Sequence, residues 1–319
     1  MVYQLGKIIG KGSDGVVYEL LGEETDRKAI KFIQGEQYGF KNYLDFWISS
    51  HLDHNYITKS EVVEIERDGL IKIVQRRADM DLRDYLNRKK LSQKTRRDLM
   101  LKIIKCVEYL HSNNILHGDI KPSNILLFDG VPKLSDFNLS RFILEDRTIL
   151  DEKIYTITFR PPEIKDNYFT QKSDIWALGC TLFEIYYNYS YFNSNSRDRV
   201  FYHIKSNLER KEENKIFNDL IDQMINVDMD SRFDIFQVKN HPYFKGIKFK
   251  EVFEKRKRMS KKELVDKLEK NFTKFDIRTS NDKKIFLSKF LKVSCIPIHA
   301  RYKILEKKIC DSKFDFDFF

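Results

Sequence analysis

Cysteine, proline and glycine are all sparse in this chain, at 4, 6 and 12 of 319 residues. Cys106, Cys180, Cys295 and Cys310 stand far apart, with no CxxC pair and no paired His, which argues against a disulfide scaffold and against a zinc site. Such usage leads us to expect an intracellular protein, in cytoplasm or nucleus. No uncharged apolar run approaches the roughly 18 residues that a spanning helix needs. Residues 1–13 also lack the continuous apolar stretch of a signal peptide, so neither membrane insertion nor secretion is expected. Internal repeats and Gly/Ser linkers are missing as well.

What is present is core material and charge. Hydrophobic residues make up 41% and aromatics 13%, too much apolar surface for an intrinsically disordered chain. The net charge of +10 is not spread evenly: residues 246–319 hold 21 Lys and Arg against 11 Asp and Glu, while residues 1–245 hold 37 of each sign. This shift, just after His241-Pro242-Tyr243-Phe244, places a domain boundary between 245 and 246.

The N-terminal segment reads as strands, with apolar and β-branched residues at Tyr3–Ile9, Val16–Leu20 and Lys28–Ile33, then again at 61–66 and 70–75. Residues 40–53 read as a helix, and from Asp81 onward the period is mostly helical. Between Asn113 and Leu134, short apolar runs such as Ile125–Phe128 alternate with Asp, Asn, Pro and Gly, which marks loops and short strands.

Gly10-Lys11-Gly12-Ser13-Asp14-Gly15 has the GxGxxG spacing, but Val16, Val17 and Tyr18 follow it, so the arrangement is strand, glycine loop, strand rather than strand, loop, helix. Glycines let such a hairpin lie over phosphates and offer backbone N–H groups to them. By itself the spacing also fits an ordinary turn. Lys31, 16 residues after Gly15 on the next strand, is placed to reach phosphates, or to be a solvated strand residue.

The ordered series decides between these readings. After the glycine loop and Lys31 come His117-Gly118-Asp119-Ile120-Lys121-Pro122-Ser123-Asn124, Asp136-Phe137-Asn138, Pro161-Pro162-Glu163, Asp174-Ile175-Trp176-Ala177-Leu178-Gly179 and Arg232. In that order the chain resembles a eukaryotic-type protein kinase of the serine/threonine group over about residues 1–245. The resemblance implies an α+β, two-lobed fold. A small antiparallel lobe with one helix spans about 1–78 and a mainly helical lobe 79–245, and a basic helical extension follows over 246–319. It implies ATP and Mg2+ as cofactors, and a protein substrate with serine or threonine hydroxyls. Phosphoryl transfer calls for positioned charge more than covalent chemistry. By resemblance Asp119 orients the substrate hydroxyl and takes its proton, Lys121 faces the γ-phosphate, and Lys31 anchors the α- and β-phosphates. Asn124 and Asp136 hold magnesium, for which hard oxygen ligands are suited. Ile9 and the glycine-loop residues cover the nucleotide, Val17, Ala29 and Leu126 sandwich adenine, and backbone groups near Arg76 and Ala78 bond its edge, with Gln75 behind. Glu163 and Arg232 form a structural pair, and Asp174 holds the catalytic loop.

Several positions depart from the pattern. Gly118 stands where most regulated kinases carry an arginine that binds an activating phosphate, and Asp151 occupies the acceptor position in a 28-residue segment from Asp136 to Glu163, a length similar to that of cyclin-dependent-type kinases. Control by phosphorylation at 151 is therefore not expected; Thr148 is a nearby acceptor. Asn138 replaces glycine and is expected to take the left-handed backbone that asparagine tolerates. Counting back from His54 puts Asp45, not Glu, opposite Lys31, so either the helix sits closer or the pair is weaker. The alternatives to an active enzyme are a pseudokinase scaffold and a nucleic-acid-binding adaptor working through the C-terminal helices.

Those helices are read from capping boxes at Ser260–Glu263 and Thr279–Asp282, with a third helix over 302–309. The run Lys255-Arg256-Lys257-Arg258 would engage an anionic partner or a nuclear import receptor, or be solvated. The ending Phe316-x-x-Phe319 resembles tails that dock on a kinase small lobe, or is a frayed terminus.

Overall fold

In the computed structural model of the chain, residues 3–12, 15–22, 27–34, 45, 48–65, 70–142, 148–149, 157–166, 168–192 and 214–246 are described. Ser13, Asp14, Asp151, the three C-terminal helices, the 255–258 run and the Phe316/Phe319 ending lie outside them.

Five strands, β1 (Gln4–Gly12), β2 (Gly15–Leu21), β3 (Lys28–Gln34), β4 (Ser60–Ile65) and β5 (Leu70–Arg76), form one antiparallel sheet in the order β1-β2-β3-β5-β4. β-branched and aromatic residues recur along it, as a pleated, half-buried surface favours. Register fixes the working residues: Lys31 lies opposite Val17 on one side and Ile73 on the other, and Ala29 opposite Gln75. Gly12 and Gly15 face each other at the hairpin end. A side chain at Gly15, whose φ is +152°, would run into the Phe32 carbonyl, so β2 can approach β3 there only as glycine. Asp45 and residues 48–51 are helical, within the helix expected over 40–53.

The chain leaves the sheet after Arg76 and enters the large lobe through β6 (Met80–Asp81) and α1 (Leu82–Arg88), where Asp81 caps the helix by accepting from Asp84 N–H. α2 (Gln93–Ser112) carries Leu99, Met100, Ile103, Ile104, Val107 and Leu110 on one face, the 3–4 spacing of an inward stripe. α3 (Gln171–Tyr187) is buried nearly all round and takes the centre, with Trp176 stacked on Phe192. α4 (Lys215–Met224) and α5 (Ile235–Asn240) close the core with Phe217, Leu220 and Val238. No helix among the described residues is long and apolar enough to cross a membrane.

Three short pieces carry the catalytic segments across the cleft: β7 (Ile115–Leu116), β8 (Ile125–Phe128) and β9 (Val131–Leu134). β8 pairs with both β6 and β9. The loop after the small-lobe helix is tied to β9, since Leu134 N–H donates to Tyr56 O at 2.8 Å and Thr58 N–H donates to Leu134 O at 3.0 Å. His54 in that loop stacks on Tyr109 of α2, with ring centroids 4.6 Å apart. Burial pushes the His54 imidazole down to about 4 from its usual 6.5.

Candidate active site

Lys31 on β3 is the hub of the small-lobe side of the cleft. Its Nζ lies 3.2 Å from Asp45 Oδ2 and 3.5 Å from Asp136 Oδ1. The shorter acid therefore does reach the lysine, and Asp45 does more: its Oδ1 accepts the Phe137 backbone N–H at 2.9 Å. One carboxylate thus joins the small-lobe helix, β3 and the segment after β9. Phe137 is fully buried and its ring lies 5.0 Å from that of His117.

The catalytic loop between β7 and β8 is held from beneath by Asp174, at the start of α3. Its carboxylate accepts the backbone N–H groups of His117 at 2.8 Å and Gly118 at 3.0 Å, and contacts His111 Nε2 at 3.0 Å. His117 Nδ1 accepts Asp119 N–H at 3.2 Å, which leaves Nε2 as the protonated nitrogen, donating to Ser135 O at 3.1 Å. A single neutral tautomer therefore joins the loop to the strand end beside Asp136. Ser140 Oγ donates to His117 O at 3.0 Å and closes the frame from the other side.

Within that frame Lys121 Nζ meets Asp119 Oδ2 at 2.5 Å, and Asn124 Nδ2 donates to both Asp119 O and Asp119 Oδ2 at 2.9 Å. Because Asp119 holds the nitrogen of this buried amide, Asn124 Oδ1 is directed away from it. An amide oxygen and the Asp136 carboxylate, whose side chain is 32% exposed, form a donor set of hard oxygens that fits Mg2+. Among the described residues no cluster of three His, Cys, Asp or Glu offers another metal site.

The structure thus brings Lys31, Asp45, Asp136, Asp119, Lys121 and Asn124 into one cleft. Ile9, Gly10, Lys11, Gly12 and Gly15 are on the β1–β2 hairpin, Val17 on β2, Ala29 on β3 and Leu126 on β8, with Arg76 and Ala78 in the connection between lobes. There Asp79 N–H donates to Leu127 O at 2.8 Å, and Arg76 pairs with Asp129 at 2.7 Å. Beside Asp119 a small cleft is lined by Gly118, Phe159, Arg160, Pro161 and Phe169. The Glu163–Arg232 pair is present as a bidentate contact of 2.7 and 2.9 Å.

One sequence expectation needs revision and a second gains a physical reason. Asn138 is not left-handed; the positive φ belongs to Asp136, at +64°. Asn138 is instead turned inward, 3% exposed, with Nδ2 donating to Asp136 Oδ1 at 2.8 Å. Gly118 is more than a missing arginine. It sits at φ +85°, and a Cβ there would lie 2.6 Å from Leu139 O, so the loop has the shape of a glycine loop and takes a side chain only under strain. The roles of His111, His117, Ser135 and Ser140 were not read from the sequence; a histidine two residues before an acid was the available signal for one of them.

A family model described as the protein kinase domain matches residues 3–244. Among curated proteins the chain is 35% identical over 190 residues to a probable cell division protein kinase of Encephalitozoon cuniculi, covering 57% of this chain and 71% of that one. It is 30% identical over 213 residues to extracellular signal-regulated kinase 2 of Dictyostelium discoideum, covering 61% and 57%. It is also 30% identical over 204 residues to the CTD kinase subunit alpha of Saccharomyces cerevisiae, covering 60% and 38%. The last two matches span less than two thirds of the relatives' own length.

Proposed function

The chain belongs to the protein kinase family and carries a serine/threonine protein kinase domain; from that premise we propose that the whole protein transfers the γ-phosphate of ATP to serine and threonine hydroxyls of a protein substrate, using the cleft cluster as its machinery. One observation carries this reading: three acids and two lysines converge, with Lys31 3.2 Å from Asp45 and 3.5 Å from Asp136, and Asp119 clasped by Lys121 and Asn124 at 2.5 and 2.9 Å. All the charged groups that such chemistry needs are there, which supports an enzyme rather than a scaffold.

Asp119 Oδ2 is fixed by its two donors, so the carboxylate is oriented before a substrate hydroxyl arrives and serves as that hydroxyl's proton acceptor. Lys121, already against Asp119, balances charge gathering on the transferred group. Lys31, held by Asp45, binds the phosphates nearer the nucleoside. Ile9 and the residues of the 10–15 loop cover the nucleotide, Val17, Ala29 and Leu126 supply flat apolar contact for adenine, and the backbone near Arg76 and Ala78 its hydrogen bonds. Asp136 and Asn124 would hold Mg2+, which when bound neutralises charge on the phosphates. The small cleft lined by Phe159, Arg160 and Pro161 lies where a peptide carrying the hydroxyl would pass.

The same proposal takes residues 246–319 as a separate basic unit that engages an anionic partner or an import receptor, and places the protein inside the cell, in cytoplasm or nucleus; its support is the charge step at 245/246 and the few, widely spaced cysteines. The test of the chemistry is incubation of wild type and Asp119→Asn with Mg-ATP and casein, mapping the modified residues. Phosphoserine and phosphothreonine from wild type, reduced at least about a hundredfold in the variant, are expected; equal incorporation by both defeats the reading.

A further inference from the structure

Asn138 buries a polar side chain beside the acid that the proposed function gives to magnesium. It is 3% exposed, and its Nδ2 donates to Asp136 Oδ1 at 2.8 Å, the same oxygen that faces Lys31 Nζ at 3.5 Å. The amide can face the carboxylate only with its nitrogen, because its oxygen would set two acceptors against each other. That leaves Asn138 Oδ1 buried, and it finds no partner among the described residues. An unpaired buried carbonyl costs stability. Nor does the local turn need the side chain, since Ser140 N–H donates to Phe137 O at 3.0 Å and closes the backbone by itself. A residue that only filled space would do so better without the amide, so the N–H group and its bond to Asp136 account for the side chain.

Asp136 gives that bond something to do. Its backbone is in the left-handed region, φ +64°, which a non-glycine residue occupies at some strain, and its side chain is 32% exposed toward the cleft. A carboxylate at the edge of water turns readily about its last bond unless something stops it. Lys31 is a distant brake at 3.5 Å and is shared with Asp45. Of these two contacts Asn138 makes the shorter, at 2.8 Å, from a buried and therefore rigid side chain.

We propose that Asn138 is a positioning residue for Mg2+: it fixes the rotation of the Asp136 carboxylate before nucleotide arrives and thereby raises the affinity of the nucleotide site for the ion. It touches neither substrate nor phosphate and acts through Asp136, as hydrogen-bond partners of metal ligands do. The inference rests on the reading of Asp136 as the magnesium ligand.

The test uses the full chain and a fluorescent ADP analogue, with affinity measured in EDTA and across a Mg2+ titration, for wild type, Asn138→Ala, Asn138→Gly, Asn138→Asp and Asp136→Asn. Melting curves report folding; the glycine variant keeps the backbone free to adopt any shape, and the aspartate variant keeps the volume while replacing the donor with an acceptor. Half-saturating Mg2+ should rise about tenfold or more in Asn138→Ala and Asn138→Gly, and further in Asn138→Asp, with affinity in EDTA unchanged. Wild-type Mg2+ dependence in the folded Asn138 variants, with the dependence lost in Asp136→Asn, overturns the role of Asn138 alone. Equal loss of nucleotide affinity with and without Mg2+ also overturns it, by showing a merely structural residue. A wild type whose affinity Mg2+ does not alter, like Asp136→Asn, removes the reading of Asp136 and this inference with it.

Discussion

Arg232 and Glu163 in the large lobe meet through two bonds of 2.7 and 2.9 Å, and Arg232 gives two further N–H groups to the carbonyls of Asn226 and Lys172. Its guanidinium also lies 5.0 Å from the Trp176 ring, and the side chain has no exposure at all. Lys31 in the cleft is surrounded differently: it is shared between two acids at 3.2 and 3.5 Å, and 16% of its side chain is open. The first pair is closed, with each polar atom used in the folded state. The second is held in an arrangement that an incoming anion can still enter. A planar fork suits the first task and a compact ammonium the second. The contrast separates a scaffold pair from a working pair by geometry, without reference to motif.

Paired substitutions put that contrast at risk. Lys31→Met should cost about a hundredfold or more in phosphate transfer to casein, the scale of losing one preorganised electrostatic contact, while the melting temperature stays near that of wild type. Arg232→Met should do the reverse. It leaves the buried Glu163 charge without its partner, at about 3–5 kcal/mol of stability, read as a large fall in the urea midpoint. Should Lys31→Met destabilise as much as Arg232→Met, the two centres are of one kind and the distinction fails.

A smaller effect is expected at Gly118. Ala at that position meets Leu139 O and a backbone at φ +85°, so Gly118→Ala should lose about 1–3 kcal/mol. Chemical denaturation measures it, and an unchanged midpoint would mean that the loop relaxes freely, unlike the Arg232 centre. Similar in scale, and reached gradually, is a dependence on pH at the loop that ties the small lobe to β9. Folded His54 holds its proton only below about 4, whereas the unfolded imidazole takes one up near 6.5. Between those values the unfolded chain binds the extra proton, so stability is present above pH 6.5 and drains away as pH falls toward 4. Asp53, Lys105 and Lys133 face the ring; the two lysines reinforce burial and the acid opposes it. His54→Phe should therefore lose less stability than wild type between pH 7 and 4.5, and parallel curves would remove the assignment.

The sheet, the helical lobe and the cleft acids were legible because they follow from local pattern: β-branched residues around Gly15, a 3–4 stripe along α2, and motifs whose spacing is set by short loops. Even Asp45 could be placed opposite Lys31 by counting. What could not be read is what depends on close approach between distant parts of the chain. The bond from Phe137 to Asp45 spans 92 residues, and the meaning of Gly118 lies in a carbonyl on another segment. Asn138 is instructive because its neighbour in sequence is also its neighbour in space. The residue type fitted a left-handed turn, but Asp136 took that conformation, and the asparagine side chain was left to turn inward.

The contact between Gly118 and Leu139 also bears on how this sequence can change. With the Leu139 oxygen 2.6 Å from where a β-carbon would be, an arginine placed before Asp119 carries a cost in stability that is relieved only if the backbone at 139 shifts. Positions 118 and 139 are therefore epistatic: what a side chain at the first costs is set by the backbone of the second.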